Sequence, residues 1–418
     1  MAQINLDVLI IGAGPSGCVA ASYLHNQGFA VKVVEKNQFP RFVIGESLLP
    51  RCMDHLEETG LLEPLTQMDF EIKKGARFLK NGVVCHFDFS KKHTKGWDWT
   101  WQVPRADFDK VLTDTLQERG VNIAFGCTVT DVAFNNEGCT TTLQDENGDG
   151  RQVLSKYIID CSGYGRVLPR LLQLDMQPHD HDSTSVFTHV IDSKRPPGEE
   201  GTLITFDIVR DDTWLWVIPF SNGNTSIGFV GPSHFLESYE GSSEEMLRNL
   251  MELSDHYVDR FDGVSFLFEP KQIKNYTQSV NQMYGPRYAI TGNSAGFLDP
   301  VFSSGVTFAT ESGLLAAKLF SKELRGEKVD WEVEYAQYMN QGIDVFSTYV
   351  KEWYTVNLQK LFFHRPENPD IKRQICAVLA GYVWDRTNPF VKNHHRLIKT
   401  VAKVIELEEE SHLGQSSS

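Results

Sequence analysis

Three glycines near the amino terminus, Gly12, Gly14 and Gly17, follow an apolar run (NLDVLII, 5–11) and precede a helical pattern that continues to about Gln27. Pro15 and Ser16 lie inside this G-x-G-x-x-G spacing. Without Cβ atoms at these points, backbone amides at a positive helix terminus can approach a pyrophosphate. The spacing alone would equally suit a glycine-rich turn used for packing. Glu35 strengthens the ligand reading: with Lys36 it ends the next apolar run, AVKVVEK, about 20 residues on, where a carboxylate accepts hydrogen bonds from ribose hydroxyls. Together these residues predict an ADP-containing dinucleotide, and the acidic Glu35 disfavours a 2′-phosphate. A second constellation, GNSAGFLDPVFSSG at 292–305, lies between the short run RYAIT and a helical pattern from Val306. Its Gly and Ser amides point with the helix dipole, so the loop stabilises negative charge and can hold a small anion near Ser304 and Gly305.

Several other residues admit two readings. Lys73 and Lys74 are adjacent, and lysines are usually solvated, but a desolvated amine can hydrogen-bond or capture an electrophile. Trp214 and Trp216 alternate in WLWVIP, which by spacing reads as one face of a packed strand. Trp97, Trp99 and Trp101 alternate too, as a ladder on one face of a strand that either packs a sheet or lines a pocket for an aromatic or polyene substrate. His394, His395, Arg396, Lys399 and Lys403 form a basic stripe on the last helix, a solvated face or a dock for an acidic carrier protein. The seven cysteines lack metal-ligand spacing, and no metal site is expected.

The elements that must position these residues begin as a βαβ unit. A helix is predicted over 106–119, where Phe108, Val111, Leu112 and Leu116 recur at helical spacing, between strand-like runs at 76–90, 97–103, 121–133 and 139–144. ENGDG at 146–150 reads as a hairpin turn and KYIID at 156–160 as a short strand. Strand-like runs from 185 to 232 with turn-rich spacers predict an antiparallel sheet, completed by a helix at about 242–252 and a strand near 264–269. Beyond 306 the chain reads as helical, with an uninterrupted amphipathic run at 331–362 and helices near 370–383 and 390–407. The fold class predicted is α/β: a Rossmann-type dinucleotide domain (1–70, 102–180 and 285–330), an inserted antiparallel β-sheet substrate domain (71–101 and 181–284), and a helical C-terminal region (331–418).

FPRFVIGESLLP (39–50), QVPRADFDKVL (102–112), YIIDCSGYGR (157–166) and ITGNSAGFLDPVFSSGV (290–306) resemble flavoproteins of the para-hydroxybenzoate hydroxylase and geranylgeranyl reductase superfamily. Within it the flavin-dependent halogenases are most similar, over about residues 5–320. The resemblance implies FAD as cofactor, with the segment from Arg41 to Ser47 along the ribityl chain, Arg105 in contact and Val129 beside the adenine. It also assigns Gly292, Asn293, Pro300, Ser304, Gly305 and Val306 to the flavin loop, although the family usually has Asp where this chain has Asn293. WLWVIP matches the halogenase pattern W-x-W-x-I-P, which implies that Trp214 and Trp216 keep substrate from the flavin. FEIKKGARF places the catalytic lysine two residues before Gly75, on Lys73. The implied reaction uses reduced FAD, oxygen and halide to form hypohalous acid, which Lys73 and the Ser304 loop direct to an electron-rich aromatic or enol-like substrate, free or carrier-tethered. A separate flavin reductase would supply electrons. An aromatic hydroxylase, a double-bond reductase and a non-catalytic flavin- or ligand-binding protein are the alternatives.

Composition bounds the rest. The chain has 418 residues, 41% hydrophobic and 23% charged, which excludes disorder and fibrous repeats. Its net charge of −15 repels phosphate backbones and argues against a nucleic-acid partner. Residues 8–24 are uncharged but interrupted by glycines and a proline, so no membrane span is expected, and no basic region precedes them as in a signal peptide. An odd number of cysteines without pairs suits a reducing compartment, and the protein reads as cytoplasmic.

Overall fold

A computed structural model describes residues 6–176, 183–274, 277–364 and 369–416, with side chains described as far as residue 411. The chain divides into two compact units: Met1–Asp69, Val103–His179 and Thr277–Asn340 form one, and Phe70–Gln102, Asp180–Tyr276 and Gln341–Ser418 the other.

The first unit is built on an eight-stranded sheet. Its main path runs Tyr284–Gly285, Tyr288–Ile290, Gly150–Asp160, Leu6–Ile11, Val31–Val34, Asn122–Ala124. From Tyr288–Ile290 to Asn122–Ala124 every neighbouring pair is parallel. A parallel strand is covered on both faces, which is why LDVLII is nearly all apolar and why Val8, Leu9 and Ile10 are wholly buried. Helix Pro15–Asn26 crosses between the first two strands and packs on helix Gly305–Leu324. KYIID is the end of a longer strand, Gly150–Asp160. The polar first part of that strand pairs antiparallel with Cys139–Gln144 across the expected turn.

The second unit carries a seven-stranded sheet ordered Lys271–Lys274, Ser183–Ile191, Asn224–Pro232, Thr213–Pro219, Thr205–Arg210, Gly75–Lys80, Val83–Asp88. It is antiparallel except where Thr205–Arg210 meets Gly75–Lys80. Val186, Leu215, Ile227 and Phe229 form a core with Leu247 and Leu250 of helix Ser243–Met251, whose start is fixed by a Ser242–Glu245 capping box. An aromatic cluster of Phe78, Phe87, Phe206, Trp214, Trp353 and Phe362 forms a second core. A separate two-stranded ribbon pairs Glu71–Lys73 with Thr100–Gln102.

Four expectations are corrected. The run 264–269 is not a strand; Phe266 makes one isolated bridge to Val190, and Lys271–Lys274 takes the sheet edge instead. Of 97–103 only Thr100–Gln102 is strand, because Trp97 and Trp99 lie outside the ladder. The helical run 331–362 is broken at Val356, whose φ of 67° no helix accommodates, giving Tyr338–Tyr354 and Asn357–Phe363 after a π-helical turn at Glu332–Gln337. Nor does 331–418 stand apart as a third region. In the first unit Trp331 packs on Phe320 and Tyr335 on Trp331, while Asn357–Phe363 and Pro369–Leu379 pack on the strand Val83–Asp88 in the second.

Candidate active site

In the first unit the glycine turn is sterically determined. A Cβ on Gly12, which has φ +100°, would sit 2.4 Å from the Cys161 carbonyl oxygen, and one on Gly17 would sit 2.0 Å from the Gly12 oxygen. Gly14 caps the helix without a side chain, Pro15 is its first residue, Ser16 is buried, and the first turn holds no acidic residue. The turn's amides are therefore left for an anion. Glu35 is buried at the end of Val31–Val34. Its Oε2 accepts the Ala13 N–H at 2.9 Å, and its Oε1 accepts the Asn37 N–H at 2.9 Å and the Asn37 side-chain amide at 3.1 Å. Oε2 thus retains a lone pair for a ribose hydroxyl. Lys36 is exposed.

Behind the turn, two arginines converge on one carboxylate. Asp109, wholly buried, accepts Arg105 Nε–H at 2.9 Å and Nη2–H at 3.0 Å on its two oxygens, and Arg41 Nη1–H at 3.0 Å. Arg105 Nη1 also donates to the carbonyls of Ile44 and Gly45 at 3.2 and 3.1 Å, so the segment from Arg41 to the buried Ser47 is tied to helix Arg105–Glu118. Sequence reasoning missed Asp109, although its position four residues after Arg105 on a helix was a visible signal. Val129 is buried on the strand Thr128–Phe134.

The loop 291–306 closes the same unit. Ser16 and Thr291 hydroxyls meet at 2.8 Å, so the two predicted turns are brought together. Gly292, at φ +51°, donates its N–H to Ser312 Oγ at 2.9 Å. Pro300 opens a 3₁₀ turn capped by Asp299, and Ser304 caps helix Gly305–Leu324, whose first turn holds no acid. A Cβ on Gly305 would lie 3.7 Å from Asn293 Oδ1, which places that amide beside the helix start, and Val306 is buried there. Two acid-free helix termini, a carboxylate with a spare lone pair and a side-chain-free turn between them fit the pyrophosphate and ribose of FAD.

Also unforeseen is a buried polar cluster on helix Gly305–Leu324. Glu311 accepts from Arg51 at 2.9 and 3.2 Å and from Tyr338 at 2.8 Å, and pairs with His55 at 2.8 Å. Burial alone would raise its carboxyl, but the His55 hydrogen bond and the His55 and Arg51 charges hold it well below the usual range. Asp160, where burial dominates, is pushed up while accepting the N–H groups of Ser162 and Leu168.

In the second unit, the ribbon pairs Lys73 with Thr100. Lys73 is 2% exposed, with its ammonium 5.6 Å from the Phe89 ring centroid, whereas Lys74 is exposed. Thr100 Oγ1 and, on the same face of its strand, Gln102 Oε1 are buried without a hydrogen-bond partner among the described residues. Lys74 lines a cavity of about 240 Å³ with His86, Asp88, Ser90, Asp98, Trp99 and Glu199. Trp97, Trp99 and Trp101 stack edge to face in succession at 5.5 and 5.3 Å, as a folded stack rather than a flat strand ladder. Trp214 and Trp216 are buried, 6.2 Å apart, and donate to Tyr354 and Ser226 at 3.3 and 3.1 Å. The basic stripe is largely neutralised: Lys399 pairs with Glu352, Lys403 with Glu406, and both histidines with Asp344.

Fold and cradle together define a dinucleotide-dependent flavoenzyme. The family model of the FAD binding domain matches residues 5–339. A flavoprotein/dehydrogenase from Cytophaga hutchinsonii is 48% identical, with 97% of this chain and 99% of that one covered, and superimposes with a TM-score of 0.95. The 1H-pyrrole-2-carbonyl-(peptidyl-carrier protein) brominase of Pseudoalteromonas luteoviolacea is 26% identical over 390 residues, 91% of this chain and 93% of its own. The flavin-dependent halogenase armH3 of Armillaria mellea is 30% identical over 355 residues, 79% and 70% respectively. The chain belongs to the FAD binding domain family as a flavin-dependent halogenase-like member, an oxidoreductase whose cofactor is FAD. Among the described residues no helix is long and apolar enough to cross a membrane.

Proposed function

We propose that this enzyme halogenates an electron-rich aromatic acyl group carried on a carrier protein, with Lys73 delivering the halogen. The observation that carries the reading is a fully buried lysine paired with Thr100, at the position of the family's lysine segment, in a halogenase-like chain. The carrier-tethered substrate is supported by the pyrrolyl-carrier brominase among the relatives. FAD, when bound and reduced, supplies with oxygen the two-electron oxidation of bromide or chloride to hypohalous acid. Gly12, Gly14, Pro15, Ser16 and Gly17 hold its pyrophosphate, and Glu35 a ribose. Lys36, Val129 and Ser47 flank it, Arg41 and Arg105 shape its cradle from the Asp109 side, and Gly292, Asn293, Pro300 and Val306 form its second wall. Ser304 and Gly305 present amides to halide. Lys73 Nζ holds hypohalous acid by a hydrogen bond or as a haloamine. The ring carbon attacks the halogen, a C–X bond forms as the O–X or N–X bond breaks, and the ring proton leaves, so the net products are aryl halide and water. Burial excludes bulk water, which would otherwise consume the electrophile. Thr100 Oγ1 and Gln102 Oε1 orient the bound oxidant, and the buried Trp214 and Trp216 keep the substrate away from the flavin. Electrons come from a separate flavin reductase, and seven free thiols suit a reducing cytoplasm.

The test supplies reduced FAD, oxygen and bromide with pyrrolyl-carrier and free activated phenols or indoles as substrates. Brominated product that disappears in Lys73→Ala while flavin oxidation continues supports the reading; hydroxylated product surviving that substitution refutes it. The flavoprotein/dehydrogenase relative favours a second reading, substrate oxidation without halide. Anaerobic bleaching of oxidised FAD by substrate, with neither oxygen nor halide present, would establish that reading.

A further inference from the structure

We propose that Asp344, His394 and His395 form a binding site for one divalent transition-metal ion of the zinc type, clamping helix Tyr338–Tyr354 to helix His394–Ser416. The sequence reading placed both histidines in a solvated stripe and expected no metal. In the fold, both Nε2 atoms address the same Asp344 oxygen, Oδ2, at 3.1 and 3.2 Å. The three ligand atoms lie within 4.8 Å of one another. A tetrahedral zinc site with bonds of about 2.0–2.1 Å has ligand-to-ligand edges of about 3.3 Å, so two of the three edges already fit.

The outer contacts suit a metal site as well. His394 Nδ1 lies 2.7 Å from the Val391 carbonyl, which can only accept, so Nδ1 carries a proton. His395 Nδ1 lies 3.0 Å from the hydroxyl of Thr348, one helical turn beyond Asp344. Such partners orient imidazoles toward an ion. The two rings are 4.2 Å apart between centroids. With Nδ1 of each ring engaged by a neighbour, both Nε2 atoms are left to share Asp344 Oδ2, the convergence that coordination of one cation by all three groups requires. Two imidazoles with one carboxylate favour zinc-type ions over calcium or magnesium. Asp344 and His395 side chains are 56% and 66% exposed, which leaves the remaining coordination positions to water.

The test is calorimetric titration of the full-length, tag-free, FAD-loaded protein with Zn²⁺ alone, after chelator stripping. The expected result is one strong site per chain, weakened at least tenfold in His395→Ala and in Asp344→Asn. The melting temperature should rise on adding Zn²⁺ in the wild type and not in either variant. Both substitutions lie on the surface, and an unchanged visible flavin spectrum reports that the variants are folded. Equal uptake by the Asp344→Asn, His395→Ala double variant, or no uptake by the wild type in the micromolar range, overturns the proposal.

Discussion

Asp109 is the residue whose removal tests the cofactor cradle most directly. It is wholly buried and accepts three charged hydrogen bonds, two from Arg105 and one from Arg41. The arginine side chains are 7% and 17% exposed, so Asp109→Ala would strand two guanidiniums out of water. Breaking a buried ion pair by deleting one partner costs about 3–5 kcal/mol. In Asp109→Asn the side chain keeps its shape and one acceptor, and the cost falls to roughly 1.5–3 kcal/mol, the worth of a hydrogen bond to a charged group. At about 2–4 °C per kcal/mol for a unit of this size, Asp109→Ala should lower the melting temperature by roughly 6–20 °C and Asp109→Asn by about half as much. The loss should be larger with FAD present, because ligand binding adds stability to the folded state in proportion to its affinity and the variant binds FAD more weakly. Differential calorimetry with and without FAD reads the first quantity, and flavin fluorescence titration reads the weakened binding that follows when the segment from Arg41 to Ser47 loses its anchor. If Asp109→Ala melted within about 2 °C of the wild type and bound FAD with unchanged affinity, the two arginines would have to be held by something else, and the argument for this cradle would fail.

Other substitutions address the remaining parts. Lys73→Ala should reduce halogenated product by about 10²–10⁴-fold, the usual scale for removing a positioned catalytic group, with flavin oxidation continuing; product chromatography beside oxygen uptake separates the two. Gly17→Ala forces a methyl to within 2.0 Å of the Gly12 oxygen, so the turn must open and the purified protein should lose its yellow colour; stoichiometric FAD in that variant would contradict the close packing. Glu311 has a folded pKa held below its unfolded one by His55 and Arg51, so its stabilising contribution is complete above the ordinary carboxylate range and is lost as pH falls below about 4.3. Urea midpoints measured from pH 7 down to 3 should therefore fall less steeply in Glu311→Gln than in the wild type, and parallel curves would remove Glu311 from the account.

The parts of this molecule that were legible in the sequence are those whose determinants sit close together in the chain. The Gly12–Gly17 turn and the 292–305 loop each carry their steric rule in a few consecutive residues, and the strand before the first turn announces its double burial by being nearly all apolar. Asp109 was not legible as an anchor because half of its role depends on Arg41, 68 residues away. Glu311 likewise becomes a hub only when Arg51 and His55 arrive from another helix. Alternation misled at Trp97 and Trp99, since edge-to-face stacking gives three indoles the same proximity that a strand would. Periodicity misled at 331–362, since apolar residues on both sides of Val356 keep helical spacing while its backbone leaves the helix.

Adjacent lysines with opposite fates show how local and distant constraints combine. A strand alternates its faces, so pairing decides which of Lys73 and Lys74 is buried, and a slip of one residue would exchange them. Cross-strand partners fix that parity: Glu71 faces Gln102, Ile72 faces Trp101 and Lys73 faces Thr100. Gly75 fixes it again from the other side. A Cβ there would lie 2.1 Å from the Phe87 carbonyl oxygen and 2.9 Å from His86 Nε2, so only a glycine can meet the neighbouring strand at that position. Because Gly75 cannot shift by one residue without bringing a side chain into that contact, the residue two places before it is held in the buried register. The spacing between lysine and glycine is therefore a packing requirement, and it is this requirement that takes one ammonium out of water and leaves its neighbour exposed.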